Sequence, residues 1–164
     1  QVDNKVEYDL PYPGKILPDH PLWSIKAGRD KIWFWITTDS NRRAELLLLF
    51  ADKRLGSAKI LFEKDRAEVG LSTLTKAEKY LEEAGKKEKE NRKKGIDTEE
   101  FLLRITNASL KHFEVIEEIL KIAPEDAKPL ISQLQDYQKK VYKEARDALL
   151  EKGGEPPKNP FNWN

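Results

Sequence analysis

The sequence predicts an all-α fold: an antiparallel bundle of four to five helices, preceded by an extended, proline-rich N-terminal strap. Leu, Ala, Glu, Lys and Arg dominate the composition, whereas Val is scarce. Apolar residues recur at alternating steps of three and four through most of the chain, which is the helical period. Short breaks separate these repeats, as is typical of helices that fold back on one another.

The strap is predicted from the prolines at the start of the chain. Residues 1–21 hold four of the nine prolines, and each proline restricts its own backbone and that of the residue before it. The segment is therefore not helical, yet it is too apolar for a free tail. We expect it to lie packed across the bundle; a disordered linker is the alternative. Its apolar residues are Tyr8, Leu10, Tyr12, Ile16 and Leu17.

The predicted helices cover residues 21–37, 40–69, 72–92, 98–123 and 125–152. The bundle thus spans 22–153, and residues 154–164 form a second proline-rich segment, a tail. Gly70 predicts the break between the second and third helices. The second helix is apolar all round from Leu46 to Phe50, so we expect the first helix or the strap to cover its second face.

The first and fourth helices carry the clearest stripes. In the first helix, Trp33 lies beside the stripe, and Phe34 and Trp35 widen it. In the fourth helix, Asp97 is predicted as the cap, with Glu100 completing a capping box. The first stripe consists of Leu22, Ile25, Arg29, Ile32 and Ile36. The fourth consists of Leu102, Ile105, Ser109, His112, Ile116, Ile119 and Ala123.

Composition and motifs exclude several classes of function. Thirty basic and 29 acidic residues give a net charge of +1, which argues against electrostatic capture of nucleic acid by the whole molecule. Cysteine is absent, and no apolar run approaches the roughly 18 residues of a membrane span. The chain has no nucleophile elbow, Walker loop or dinucleotide fingerprint. We therefore predict a protein that is not an enzyme, with no cofactor and no transmembrane segment.

His112 has two interpretations. It lies on the core stripe of the fourth helix, where a buried histidine bonded to a nearby hydroxyl or carboxylate fits the pattern. A metal or haem ligand at the same position is the alternative, and it would need a partner from a second helix. The core interpretation is favoured, and His112 is kept as a weak candidate ligand.

Two surface features are candidate partner contacts. The aromatic cluster of Trp23, Trp33, Phe34 and Trp35 suggests a carbohydrate platform or a membrane interface, although core filling is favoured. Trp33 and Trp35 are its candidate contact residues. Between Gly85 and Gly95 a basic run without apolar residues suggests a contact for anionic lipid, wall polymer or nucleic acid, with a mobile, solvated connector as the simpler interpretation. Its candidates are Lys86, Lys87, Arg92, Lys93 and Lys94.

Two sequence blocks resemble a bacterial family of unknown function. The first reads Y-x-L-P-Y-P-G-x-x-L-P-D-x-P-L-W over residues 8–23, and the second begins at Asp39 and includes R-R-A-E-L-L-L at 42–48. Members of this family are mostly predicted to be exported or membrane-anchored and to contain a helical domain. The resemblance implies an extracytoplasmic location after removal of a signal. It implies no activity, cofactor or catalytic residue.

These observations lead to one expectation of function and one alternative. We expect a non-enzymatic, extracytoplasmic interaction or scaffold domain of a bacterial envelope protein. Its partner would be another envelope protein or an anionic surface polymer. The alternative is a ligand-binding bundle that holds metal or haem through His112.

Overall fold

The computed structural model describes residues 5–36 and 39–163, with the backbone alone at Trp35 and Ile36. It contains five α-helices: α1 (Trp23–Ile36), α2 (Ser40–Glu63), α3 (Ala67–Lys93), α4 (Glu99–Ile122) and α5 (Lys128–Glu151). Every regular element in the described part of the chain is a helix, which confirms the all-α class. Within the same residues, no helix has both the length and the hydrophobicity needed to cross a bilayer.

Helices α2 to α5 form a ring of neighbours. α2 packs on α3, α3 on α5, α5 on α4, and α4 on α2. Because short connections join consecutive helices, each of them runs antiparallel to the one before it. The predicted stripe of α4 is confirmed: from Leu102 to Ile119 its members are 0% exposed, and Ala123 is 6% exposed. These side chains contribute to two apolar clusters in the interior of the ring.

The turn between α2 and α3 lies at residues 64–66 instead of at Gly70, where the sequence predicts it. Asp65 makes the turn with a positive φ of 58°. Gly70 lies in the first turns of α3, where a Cβ would come within 3.0 Å of the Phe62 ring on α2. The glycine therefore permits close packing of two helices and does not end either of them.

The predicted capping box at α4 is only partly present. Asp97 Oδ1 accepts a hydrogen bond from the backbone N–H of Glu99 at 3.1 Å, so it does satisfy the helix start. Glu100 does not fold back toward it; its exposed carboxylate lies 3.8 Å from Arg104, one turn further on. The N-cap position itself is Thr98.

The first and last segments that the structure describes both contact the bundle. Residues 5–22 contain no helix or strand, and Val6 and Leu17 are buried at 7% and 6% exposure. Val6 donates its backbone N–H to Glu114 Oε1 of α4 at 2.7 Å. At the other end, Trp163 packs edge-on against Tyr142 with ring centroids 5.3 Å apart. Val6 and Trp163 thus both meet the α4–α5 side of the molecule.

Helix α1 lies outside the ring and attaches through a few large side chains. The guanidinium of Arg54 on α2 lies between two aromatic rings, 5.5 Å from Trp23 and 4.6 Å from Tyr80 of α3. Phe34 packs against the core cluster that contains Leu47 and Leu48. The apolar turn of α2 is therefore covered from this side, as the sequence predicts.

Candidate functional site

A buried polar network crosses the centre of the bundle. His112 on α4 is 0% exposed, and its two ring nitrogens contact carboxylates from two other helices. Nε2 lies 2.9 Å from Asp52 Oδ1 on α2, and Nδ1 lies 2.8 Å from Glu78 Oε1 on α3. A ring that donates to two ionised carboxylates carries a proton on both nitrogens, so this geometry fits an imidazolium.

Two further donors complete the network. Tyr8 of the N-terminal segment donates its hydroxyl to Asp52 Oδ2 at 2.5 Å, and Gln138 Nε2 on α5 donates to Glu78 Oε2 at 2.5 Å. Two carboxylates and one imidazolium leave one negative charge, which these neutral donors stabilise. The five residues come from all four helices of the ring and from the segment that precedes α1. The network therefore fixes how these elements are aligned.

The neighbouring carboxylates stabilise the positive charge on His112. Burial alone would lower its pKa, but the Glu78 and Asp52 carboxylates outweigh burial and raise the pKa to about 10. Burial and the Asp52 carboxylate also raise the pKa of Tyr8, which keeps its hydroxyl a donor. At neutral pH the core thus contains a stable ion triad.

The stability of the domain should depend on this proton. Because the folded pKa of His112 lies above its unfolded value of about 6.5, the stabilisation is fully present below pH 6.5 and is lost as pH rises through about 10. A tenfold difference in proton affinity between the folded and unfolded protein is worth about 1.4 kcal/mol, so we expect a loss on the order of 5 kcal/mol across this window. Urea unfolding across this range of pH measures it.

A variant separates this proton from other groups that titrate at alkaline pH. The profile of His112→Gln should be flatter than that of the parent between these limits, because glutamine carries no titrating proton. Parallel profiles for the two proteins would show that His112 is neutral in the folded state.

The geometry also bears on His112 as a metal ligand. Both ring nitrogens are already occupied by carboxylates, and a metal would have to displace one of them together with the ring proton. Among the described residues, no group of three or more His, Asp or Glu side chains is arranged to hold a metal ion. None of the described clefts is lined by His112, Asp52 or Glu78.

The second candidate site is on α1. Its apolar residues lie on two opposite sides of the helix: Trp23, Ala27 and Phe34 face the bundle, whereas a second set faces solvent. The second set and Arg29 fall within about 100° of the helix circumference. We call this set the outer α1 surface. It comprises Leu22 at 49% exposure, Ile25 at 70%, Ile32 at 65% and Trp33 at 41%.

This arrangement corrects the sequence-based interpretation of α1. Core filling holds for Phe34, and Trp23 lies half-buried against Arg54 at the edge of the bundle. Leu22, Ile25, Ile32 and Trp33 are exposed instead. The side chain of Trp35, the other candidate contact, lies outside the described residues. The period of the sequence identified which residues share a face, but with apolar residues on both sides it could not identify which face is buried.

Basic residues border the outer α1 surface. A cleft of about 510 Å³ lies between the helix and the loop before it, and its lining includes Lys15, Lys26, Arg29 and Lys53. None of the described carboxylates lines this cleft. On the other side of α1, a second cleft is lined by Lys31, Arg54, Lys76 and Lys79, with Glu83 as its one carboxylate among the described residues.

Lys26 joins the loop to the helix. Its Nζ donates to the backbone carbonyls of Pro13 and Ile16, at 2.7 and 3.1 Å, and burial lowers its pKa. Gly14 takes a positive φ of 89° in this loop, a conformation that glycine adopts without strain. The loop is thereby held beside α1, and it presents Tyr12 at 70% exposure next to Leu22 and Ile25.

The basic run of α3 differs from the expected unpacked tip. Gly85 and the residues after it continue the helix to Lys93, and Glu88 and Asn91 within the run are buried. Asn91 Nδ2 donates to the carbonyl of Ser40 at 3.0 Å, and Thr98 donates to Glu88 Oε1 at 2.7 Å. The expectation that nothing in this run packs is therefore wrong, because its polar residues join α3 to the starts of α2 and α4.

Most of the candidate cations in this run already face carboxylates. Lys86 pairs with Glu82 at 3.3 Å, Lys87 with Glu90 at 3.1 Å and Arg92 with Glu88 at 2.9 Å. Lys93 and Lys94 are exposed and form no ion pair with the described residues. The positive charge of the run is thus partly neutralised, in contrast to the charge beside α1.

Comparison with known proteins places the chain in a family. Residues 15–126 match a domain of unknown function, DUF5667. The chain belongs to this family. The match is consistent with the expected resemblance to a family of unknown function. None of the curated proteins and none of the solved structures matches the chain.

The DUF5667 match includes the main elements of both candidate sites. It covers α1 to α4, and therefore the outer α1 surface and the Asp52–His112–Glu78 triad. Tyr8 and Gln138, the two neutral donors of the network, lie outside the matched range on opposite sides.

The sequence does indicate the two carboxylates of the triad, because each lies at a core position of its helix. A search for periodic apolar residues alone does not find them. Asp52 lies four residues after Leu48 and three before Leu55, which is a core position of α2. Glu78 lies in the same relation to Leu74 and Leu81 of α3. A carboxylate at a core position requires a buried partner, and His112 is at the corresponding position of α4.

Proposed function

We propose that this DUF5667 domain is a non-enzymatic interaction module of a bacterial envelope protein, that it lies outside the cytoplasm, and that the outer α1 surface is its docking surface. The location is supported by the resemblance of residues 8–23 and 39–55 to exported proteins. The non-enzymatic role is supported by the triad, whose ionisable groups are bonded to one another and do not line a cleft.

One observation carries the docking surface. The 14-residue helix α1 is attached to the bundle by one apolar side, and on its other side Ile25, Ile32 and Trp33 are exposed together with Leu22, which directly precedes the helix. Ile122 and Leu130, which are exposed elsewhere on the bundle, line none of the described clefts, whereas Leu22 and Ile25 line a cleft together with four cations. A contiguous apolar surface bordered by charge is typical of a site that a partner covers.

We further propose that residues 5–21 act as a strap that positions this surface. Support comes from the buried Val6 and Leu17, from the Tyr8–Asp52 hydrogen bond and from the Lys26 contacts to the loop. The strap connects the network in the core to the docking surface outside it, so both depend on the same segment.

Cysteine labelling tests the location and the docking surface together. The chain has no cysteine, so a single introduced thiol gives an unambiguous signal. In purified protein, Ile25→Cys and Ile32→Cys should react with a membrane-impermeant maleimide as fast as Ile122→Cys and Leu130→Cys, since all four positions are exposed. In intact cells of the source organism, the control pair should still be labelled and the α1 pair should be protected several-fold.

Two outcomes would contradict the proposal. Control positions that react only after the cells are broken would place the domain on the cytoplasmic side. Equal labelling of α1 and control positions in intact cells would show that no partner covers the outer α1 surface.

A further inference from the structure

The outer α1 surface combines apolar exposure with positive charge. We propose that it binds the surface of an anionic lipid bilayer, with α1 lying in the plane of the interface. This inference rests on the proposed function, because it names the partner of the same docking surface. Four residues contribute the apolar contact: Leu22, Ile25, Ile32 and Trp33.

The shape of the surface suits a bilayer. Fourteen residues make a helix of about 21 Å, long enough to lie across several headgroups. Its apolar side chains form a ridge about 100° wide, and the ridge can enter the boundary between headgroups and acyl chains. Tyr12, which shares a cleft with Leu22 and Ile25, and the exposed Trp33 have the amphipathic rings that favour this boundary.

The charge around the ridge selects an anionic bilayer. Lys15, Lys26, Arg29 and Lys53 line the cleft beside the ridge. Lys31, Lys76 and Lys79 line a second cleft, on the side of α1 that faces the bundle. Asp30, which pairs with Arg29 at 3.1 Å, is turned toward the bundle and is only 13% exposed. A chain with a net charge of only +1 thus places four cations in one cleft beside an exposed apolar surface.

Other occupants fit this surface less well. A second copy related by a two-fold axis would place the same cations against one another, which is repulsive. An anionic wall polymer would meet the charge but would leave the aliphatic residues in water. A bilayer with anionic headgroups satisfies both features at once, as amphipathic interfacial helices do.

Vesicle sedimentation tests the proposal on the whole chain. The parent should bind vesicles of equal parts phosphatidylcholine and phosphatidylglycerol at least about 10-fold more tightly than vesicles of phosphatidylcholine alone. Replacing both Ile25 and Ile32 by glutamate should reduce binding by roughly 100-fold or more, because it removes apolar contact and adds repulsion. Ile122→Glu with Leu130→Glu, which makes the same changes at exposed positions elsewhere, should bind as the parent does.

A second set of variants isolates the charge. Lys15→Gln, Arg29→Gln and Lys53→Gln together should weaken binding by roughly 100-fold, at about 1 kcal/mol for each cation near the surface. Lys93→Gln, Lys94→Gln and Lys121→Gln together remove the same charge from exposed positions away from α1 and should have little effect. Raising the salt from about 0.1 M to about 1 M should mimic the first set.

Fluorescence gives a readout in the unaltered protein. Lipids brominated in the upper acyl chain should quench the tryptophan emission of the bound parent, and Trp33→Phe should remove most of that quenching. This measurement does not depend on the folding of any charge-reversal variant.

The results separate this inference from the proposed function. Lack of binding to anionic vesicles, equal binding to both vesicle types, or equal losses in the α1 and control variants would overturn the lipid partner. If the α1 cysteines are nevertheless protected in cells, the docking surface stands and its partner is a protein. If the protein binds vesicles but its α1 cysteines are labelled in cells as fast as the controls, both the docking surface and its lipid partner are overturned.

Discussion

Replacing His112 by glutamine should lower the free energy of unfolding by about 3–5 kcal/mol at neutral pH. The cost is large because the substitution leaves Asp52 and Glu78 as buried carboxylates without a cation between them. For a domain of this size the melting temperature should fall by roughly 10 °C or more. Calorimetry or urea unfolding at about pH 7 measures the change.

Two further variants show whether charge is the cause. Ser109→Ala, one turn away on the same buried stripe, should cost no more than about 1 kcal/mol, since its hydroxyl bonds only to the carbonyl of Ile105 among the described residues. Asp52→Asn, Glu78→Gln and His112→Gln together should recover part of the stability lost in His112→Gln. A triple variant as unstable as the sum of its single changes would show that shape, not charge balance, dominates.

The same substitution addresses the alternative function. If His112 holds metal or haem, protein from the native source should contain the element or absorb in the visible, and His112→Gln should lose that signal. We expect the parent and His112→Gln to have the same metal content and the same visible absorption, because each ring nitrogen already donates to a carboxylate.

The sequence predicts a ring helix most clearly where one face is apolar and the other is polar, as in α4. The stripe of α4 is apolar on one side only, so its period identified both the helix and its buried residues, including His112. The carboxylates of the triad also follow the stripes of α2 and α3. What periodicity cannot supply is that helices distant in sequence place Asp52 and Glu78 on opposite nitrogens of one ring.

The wrong predictions from the sequence have a common physical origin, because the same residue type can occupy two different structural environments. Gly70 could end a helix or permit close packing, and only the position of Phe62 on the neighbouring helix decides between them. Glu88 and Asn91 could face solvent or continue a buried stripe with polar partners. For α1, both faces were apolar, and the choice depended on where Arg54 and Tyr80 lie.

Deleting residues 1–18 should produce the other large effect on stability. The deletion exposes the core surface beneath Val6 and Leu17, whose burial is worth about 3–6 kcal/mol before the entropy of ordering the segment is subtracted. It also removes the Tyr8 hydroxyl from Asp52, which leaves that carboxylate with one donor fewer. We expect the melting temperature to fall by roughly 5–10 °C, with the all-α circular dichroism spectrum retained.

Two tyrosines in the deleted segment, Tyr8 and Tyr12, test which contact causes the loss of stability. Tyr8→Ala should reproduce a large part of the loss, because this side chain packs on the core and donates to the network. Tyr12→Ala, a change of the same size at a side chain that is 70% exposed, should leave the melting temperature within about 1–2 °C of the parent. An unchanged melting curve after the deletion would mean that residues 1–18 are a free linker. Equal effects of the two alanine variants would mean that the hydrogen bond to Asp52 does not stabilise the domain. We expect the deletion and Tyr8→Ala to lower the melting temperature far more than Tyr12→Ala does, because Tyr8 is bonded to the same Asp52 carboxylate that holds His112 in the core.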